Sequence, residues 1–187
     1  MAAKYGTKKW DEAYEKILQE RLKSNQEPYI LGTPEWVQKY REVINQDEEY
    51  KEVGKAWDTV MAMGIGAKPE YGVYEDLHLK LCLSAGVCTE AKLIPKEAAD
   101  EAPYFMAGSY QLWQSIVRGE MEALKATIQG DMTLRGDLAK VMKYVGAAKR
   151  LGELAGSFEA KWPEDLSSEE LEAYKADFNR LREQLGI

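Results

Sequence analysis

Leu77, Leu79, Leu81 and Leu83 alternate with His78, Lys80 and Cys82, and no other stretch of the chain restricts the fold as strongly. A period of two places the leucines on one side of a strand and the polar residues on the other. Ala85-Gly86 marks a turn, and Val87 to Ile94 reads as the partner strand, with Val87, Ala91 and Leu93 opposed to Glu90 and Lys92. A hairpin with one apolar and one polar face belongs to an antiparallel sheet covered on one side only. That parity puts His78, the single histidine, on the solvated side. It also lets Cys82 and Cys88 face each other across the hairpin; they read as free thiols of a reducing compartment, with a disulfide as the alternative.

The same period recurs three times. Trp57, Thr59, Met61, Met63 and Ile65 alternate with smaller residues and end at the turn Gly66-Ala67-Lys68-Pro69. Pro103 to Ala107 is a short strand, and Met132 to Leu134 is another, held between Gly130-Asp131 and Gly136-Asp137. Around these the period is helical. Trp10, Ala13, Tyr14, Ile17, Leu18 and Leu22 mark a helix over about 8–23. Thr33-Pro34-Glu35 is a helix start, with an N-cap, proline at the first position and an acid in the first turn; that helix buries Trp36, Val37, Tyr40, Val43 and Ile44 and resumes over 48–55. Ser109 opens a helix with Tyr110, Trp113, Ile116 and Val117 on one face, a further turn carries Met121 and Leu124, and Asp137 starts one with Leu138, Val141, Met142 and Val145 on one face. At the end, Ser167 and Glu170 form a capping box and Leu166 with Leu171 a hydrophobic staple. The following stripe of Leu171, Tyr174, Phe178, Leu181 and Leu185 must bury against something, with this chain's own domain the first choice and a second copy or a partner enzyme the alternatives.

Adjacent antiparallel strands followed by helices and one short strand give an α+β domain. At 187 residues there is room for one substantial domain. A net charge of −7 repels phosphate backbones and anionic bilayers, so nucleic acid and a permanent membrane anchor are not expected. The local exception is Lys140, Lys143, Lys149 and Arg150, read as one helix face that is either solvated or meets an anionic headgroup. No apolar run approaches the roughly 20 residues of a membrane span, Met1 to Lys9 lacks the core of a secretion signal, and a cytoplasmic protein is expected.

Reactive chemistry is sparse. No serine has a nucleophile-elbow context, the glycines near Gly64 do not make a phosphate loop, and two cysteines with one histidine supply no zinc-ligand spacing. No catalysis, no metal and no cofactor are expected. What is abundant is adaptable apolar bulk: Met61, Met63, Met106, Met121, Met132 and Met142 lie at or near core-facing positions, and methionine repacks around irregular shapes.

The order of elements from Trp57 to Leu151 resembles the sterol carrier protein 2 family. The residues that carry the likeness are the helical segment from Trp113 to Met121, with Gly119 before Glu120, the short helix Ala123 to Ile128, and the strand leading into Gly136-Asp137 and the next helix. The resemblance implies a five-stranded, largely antiparallel sheet covered on one face by helices, with an apolar tunnel between the layers. It also implies non-catalytic binding and transfer of a fatty acid, fatty acyl-CoA or sterol-like lipid. The tunnel lining expected on this basis is Trp57, Met61, Met63, Leu79, Leu81, Trp113, Ile116, Leu124, Met132, Leu134, Met142 and Val145. Residues 33–158 would form the lipid-binding domain, 1–32 an N-terminal helical extension and 159–187 a C-terminal amphipathic helix. The other reading is an accessory subunit of the same fold with a filled interior, docked to an enzyme through the C-terminal helix.

Overall fold

A computed structural model describes residues 3–187; Met1 and Ala2, which open the segment read against a secretion signal, lie outside the described residues. The strands are β1 (Thr59–Ile65), β2 (Leu77–Ser84), β3 (Val87–Ile94), β4 (Tyr104–Gly108) and β5 (Thr133–Arg135), in the spatial order β3-β2-β1-β4-β5. All pairs are antiparallel except β1 with β4, which is parallel. The helices are α1 (Lys8–Ser24), α2 (Pro34–Gln46), α3 (Glu48–Gly54), α4 (Lys96–Glu101), α5 (Tyr110–Val117), α6 (Ala123–Gln129), α7 (Leu138–Lys143), α8 (Val145–Ala155) and α9 (Ser168–Leu185).

Register decides what the sheet offers each layer. Met61, Met63 and Ile65 stand opposite Leu81, Leu79 and Leu77 on one flank and opposite Tyr104, Met106 and Gly108 on the other, so one face is apolar across its width. Helices α2, α5 and α8 cover this face. The other face departs from expectation. Helix α4, which carries the chain from β3 to β4, packs Ala99 there against Ala62 and Ile94, with Phe105 alongside. His78 is therefore not solvated; it is 7% exposed and stacked on the Phe105 ring at 6.1 Å. Gly64 makes this packing fit, because a Cβ there would stand 2.9 Å from Phe105 Cζ. Burial holds the His78 imidazole below its ordinary pKa.

The β2–β3 hairpin turns through Ala85 and Gly86, both at positive φ, as a two-residue turn of this twist requires. An irregularity beside Leu83 pairs it with Cys88 while Cys82 pairs with Glu90. The extra residue swaps parity, so Cys88 rather than Val87 enters the core, and the two cysteines lie on opposite faces instead of facing each other. Both are free thiols. As the edge strand, β3 is shielded: Cys88 N–H donates to Asn45 Oδ1 at 2.7 Å and Leu93 N–H to the Tyr14 hydroxyl at 3.0 Å.

The C-terminal helix folds back on its own chain. Trp10 Nε1 donates to the Leu185 carbonyl at 2.8 Å, and Tyr174, Phe178, Leu181 and Leu185 join the core. Its Ser167–Glu170 capping box forms as expected. A buried ion-pair network ties three helices together: Arg21 donates to both oxygens of Glu35, at 2.6 and 3.0 Å, and to Asp177 at 2.6 Å. Although burial opposes its charge, these carboxylates raise the Arg21 pKa. The basic stretch differs from expectation. Lys140 and Lys143 lie on α7, while Lys149 and Arg150 lie on α8, because Tyr144 breaks helical geometry between them.

Candidate functional site

A cavity of about 370 Å³ lies between the apolar sheet face and the helices. It falls within the ~300–1,000 Å³ of sites for small organic molecules. The sheet contributes Met63 and Ile65 from β1, Leu79 from β2, Met106 from β4 and Leu134 from β5. These share a face because the strands are in register, so the floor is continuous. Trp36 and Tyr40 enter from α2, where the Thr33 cap sets the first turn and residues four apart share a face. Trp113, Ile116 and Val117 come from α5, started by the Ser109 side chain. The rest of the wall includes Met121 before α6, Ala123, Leu124 and Thr127 of α6, Val141 of α7, and Val145, Ala148, Leu151 and Gly152 of α8.

Most polar side-chain atoms in this wall have partners, but the buried Trp36 Nε1 has none among the described residues. Trp113 Nε1 donates to the Gly64 carbonyl at 2.7 Å, which pins α5 to the sheet. The Tyr40 hydroxyl donates to the Leu151 carbonyl at 2.7 Å, and burial drives its pKa well above the ordinary tyrosine value. Thr127 Oγ1 donates to the Ala123 carbonyl at 2.9 Å. A wall with so few free polar atoms selects chiefly by shape and apolar contact, and Trp36 Nε1 is its one buried side-chain donor without a partner among the described residues. Charge enters at the rim. Lys149 Nζ stands 3.4 Å from Glu122 and 3.9 Å from Glu153, and all three side chains are exposed. Such surface pairs hold weakly and shift easily.

The expected lining residues divide into three groups. Met63, Leu79, Trp113, Ile116, Leu124, Leu134 and Val145 surround the cavity. Trp57, Met61, Leu81 and Met132 are buried in the packed core beside it. Trp57, for example, precedes β1 and stacks on Tyr144 at 5.6 Å. Met142 is 48% exposed and faces away, a correction to the expected helix face. The helix that was expected to carry Leu138, Val141, Met142 and Val145 together ends at Lys143, and only Val141 of the α7 trio turns inward. The cavity residues not anticipated include Ile65, Trp36 and Tyr40, which carried a core signal, Leu31, Glu122 and Glu153, which carried none, and Lys149, which was read only as part of a basic helix face. Among the described residues, no group of three His, Cys, Asp or Glu is placed to hold a metal ion.

Two solved structures share this arrangement. The crystal structure of sterol carrier protein 2 superposes with a TM-score of 0.65 at 28% identity, over 69% of this chain and 99% of that one. A conserved hypothetical protein from Thermus thermophilus, described as possibly a sterol carrier protein, gives a TM-score of 0.65 at 27% identity over 73% of this chain and 94% of its own. No protein-family model and no curated protein sequence matches the chain. No described helix is long and apolar enough to cross a membrane.

Proposed function

We propose that this chain, which carries a sterol carrier protein 2-like domain, binds and carries one apolar lipid, a fatty acid, fatty acyl-CoA or sterol-like molecule, between sheet and helices. The cavity supports this reading above all else. Protein interiors are close-packed, and voids larger than a water molecule are few. An apolar space of about 370 Å³ leaves its lining without the dispersion contacts that a close-packed interior would supply. A lipid tail restores the missing contacts. The apolar part would lie along Met63, Leu79, Trp113 and Ile116, and its polar end would meet the Glu122, Lys149 and Glu153 rim.

The reading is non-catalytic. Among the described residues, no histidine, cysteine or serine surrounds the cavity, and His78 stands on the opposite face of the sheet. The two rim carboxylates are engaged by Lys149. Acyl chemistry needs a nucleophile, a base and an oxyanion site within mutual reach.

Titration of lipid-stripped protein with cis-parinaric acid and with dehydroergosterol tests the proposal. Trp36 and Trp113 in the wall should report uptake by energy transfer to either probe. Binding should saturate, and a hundredfold excess over Kd should stabilise the fold by about 2.7 kcal/mol. If neither probe binds nor shifts the melting temperature, the interior is a filled core and the accessory-subunit reading replaces this one.

A further inference from the structure

Among the described residues, three buried side-chain donors have no acceptor: Trp36 Nε1, the Tyr50 hydroxyl and Trp57 Nε1. Buried polar groups are nearly always paired, so each such atom calls for a cause. Tyr50 and Trp57 lie in the packed core and do not border the cavity. Trp36 does border it, and is 3% exposed.

The Trp36 donor is held in place. It sits in the first turn of α2, where its backbone N–H bonds Thr33 Oγ1 at 3.4 Å. Its ring packs on Tyr40 at 5.4 Å and on Phe158 at 5.6 Å. Neither ring face serves as an acceptor. The indole N–H lies in its own ring plane, so donation into another ring needs nearly perpendicular planes, and these are tilted by only 34° and 35°.

An indole N–H only donates, so what completes it is an acceptor oxygen. A charged oxygen is disfavoured. Glu35, next in the chain, is a buried carboxylate, and Arg21 is spent on it and on Asp177. Among the described residues that line the cavity the one cation is Lys149, held at the rim by Glu122 and Glu153. A ligand carboxylate at Trp36 would thus be buried near another carboxylate with no cation of its own. A hydroxyl accepts, but brings a hydrogen that needs a partner in turn. A ketone or ester carbonyl accepts and brings none.

We infer that Trp36 Nε1 donates to a neutral carbonyl oxygen within the apolar part of the ligand, so that the cavity prefers an oxo- or ester-bearing lipid to an unsubstituted chain of the same length. This deepens the lipid-carrier reading and rests on it.

The test compares stearic acid with oxostearic acids that carry the carbonyl at different carbons along the chain. Each competes with directly excited cis-parinaric acid, a signal that does not depend on Trp36, on lipid-stripped full-length protein. A carbonyl that enters an apolar wall without a donor weakens binding. One isomer should therefore bind at least as tightly as stearic acid, and the others about tenfold or more weakly. Trp36→Phe keeps an aromatic ring against Tyr40 and Phe158 but removes the donor. In this variant the favoured isomer should bind about tenfold more weakly, while stearic acid stays within about twofold of the parent. A Trp36→Phe protein that keeps the parent's preference overturns the inference. So does a flat series in the parent chain, or one in which every isomer binds at least tenfold more weakly than stearic acid, whatever the variant's stability. Those results leave the carrier reading standing. Binding of neither cis-parinaric acid, stearic acid nor any isomer overturns both.

Discussion

Gly152 offers a perturbation whose effects on stability and on binding have opposite signs. It lies inside α8 and lines the cavity, and a Cβ built on it would meet nothing within 4 Å. Gly152→Ala should therefore gain only the helix-interior difference between glycine and alanine, about 0.5–1 kcal/mol. Gly152→Leu keeps that gain and adds an apolar side chain to an apolar space; full burial would contribute about 1.5–3 kcal/mol, and a partly open cavity a fraction of it. The leucine variant should be about 1–3 kcal/mol more stable than the parent without lipid, raising Tm by about 2–4 °C per kcal/mol in a chain of this size. Yet the added side chain occupies the space of the ligand, so probe affinity should fall tenfold or more, or at least about 1.4 kcal/mol. Gly156, the C-cap of the same helix, supplies the contrast, because a Cβ there would lie 2.1 Å from the Val117 carbonyl oxygen. Gly156→Ala should destabilise the protein. The measurements are thermal and urea denaturation of lipid-stripped protein and titration with cis-parinaric acid. A leucine variant that binds the probe like the alanine variant would show that position 152 faces solvent and would refute the placement of the cavity.

Three further outcomes follow from buried groups. Arg21→Met leaves the Glu35 carboxylate, 3% exposed, with only the Asn25 amide at 2.7 Å, and should cost about 3–5 kcal/mol in urea denaturation; a loss below about 1 kcal/mol would mean that water reaches the site. His78 has a folded pKa lowered by burial, so as pH falls below about 6.5 the unfolded chain protonates first and stability should decline. His78→Phe should remove that part of the acid-side decline, and parallel pH profiles for the two proteins would show the reasoning wrong. Burial pushes the Cys88 thiol up to about 12, so at pH 8 a thiol reagent should label it only through unfolding, at a rate that rises with urea. Labelling of Cys88 at the rate of a free thiol in native buffer would contradict its placement.

Much of the site was legible because strand parity is a strict rule. Once Leu79 and Met63 are assigned to one face, pairing in register brings them together with Leu134 and Met106. Helix faces were less legible. Val141 and Met142 are neighbours on one short helix, and a break at Tyr144 decides which of them turns inward. The packed-core set of Trp57, Met61, Leu81 and Met132 has the same sequence signature as cavity wall, since both are apolar positions on the same elements. His78 was misread for a related reason: parity names its face, but only the path of α4 covers that face.

What the sequence determined by itself is what depends on neighbours a few residues apart. The alternating leucines, the Thr33 and Ser109 caps and the Ser167–Glu170 box each specify an element through contacts within one turn or across one hairpin. Tertiary structure alone decided everything that depends on where separate elements meet. It placed β4 parallel to β1, turned Met142 out to solvent, set Lys149 between Glu122 and Glu153, and left a void where the sheet and the helices stop short of one another. A void is a shortfall in packing summed over many side chains from distant parts of the chain, and no local pattern encodes such a sum.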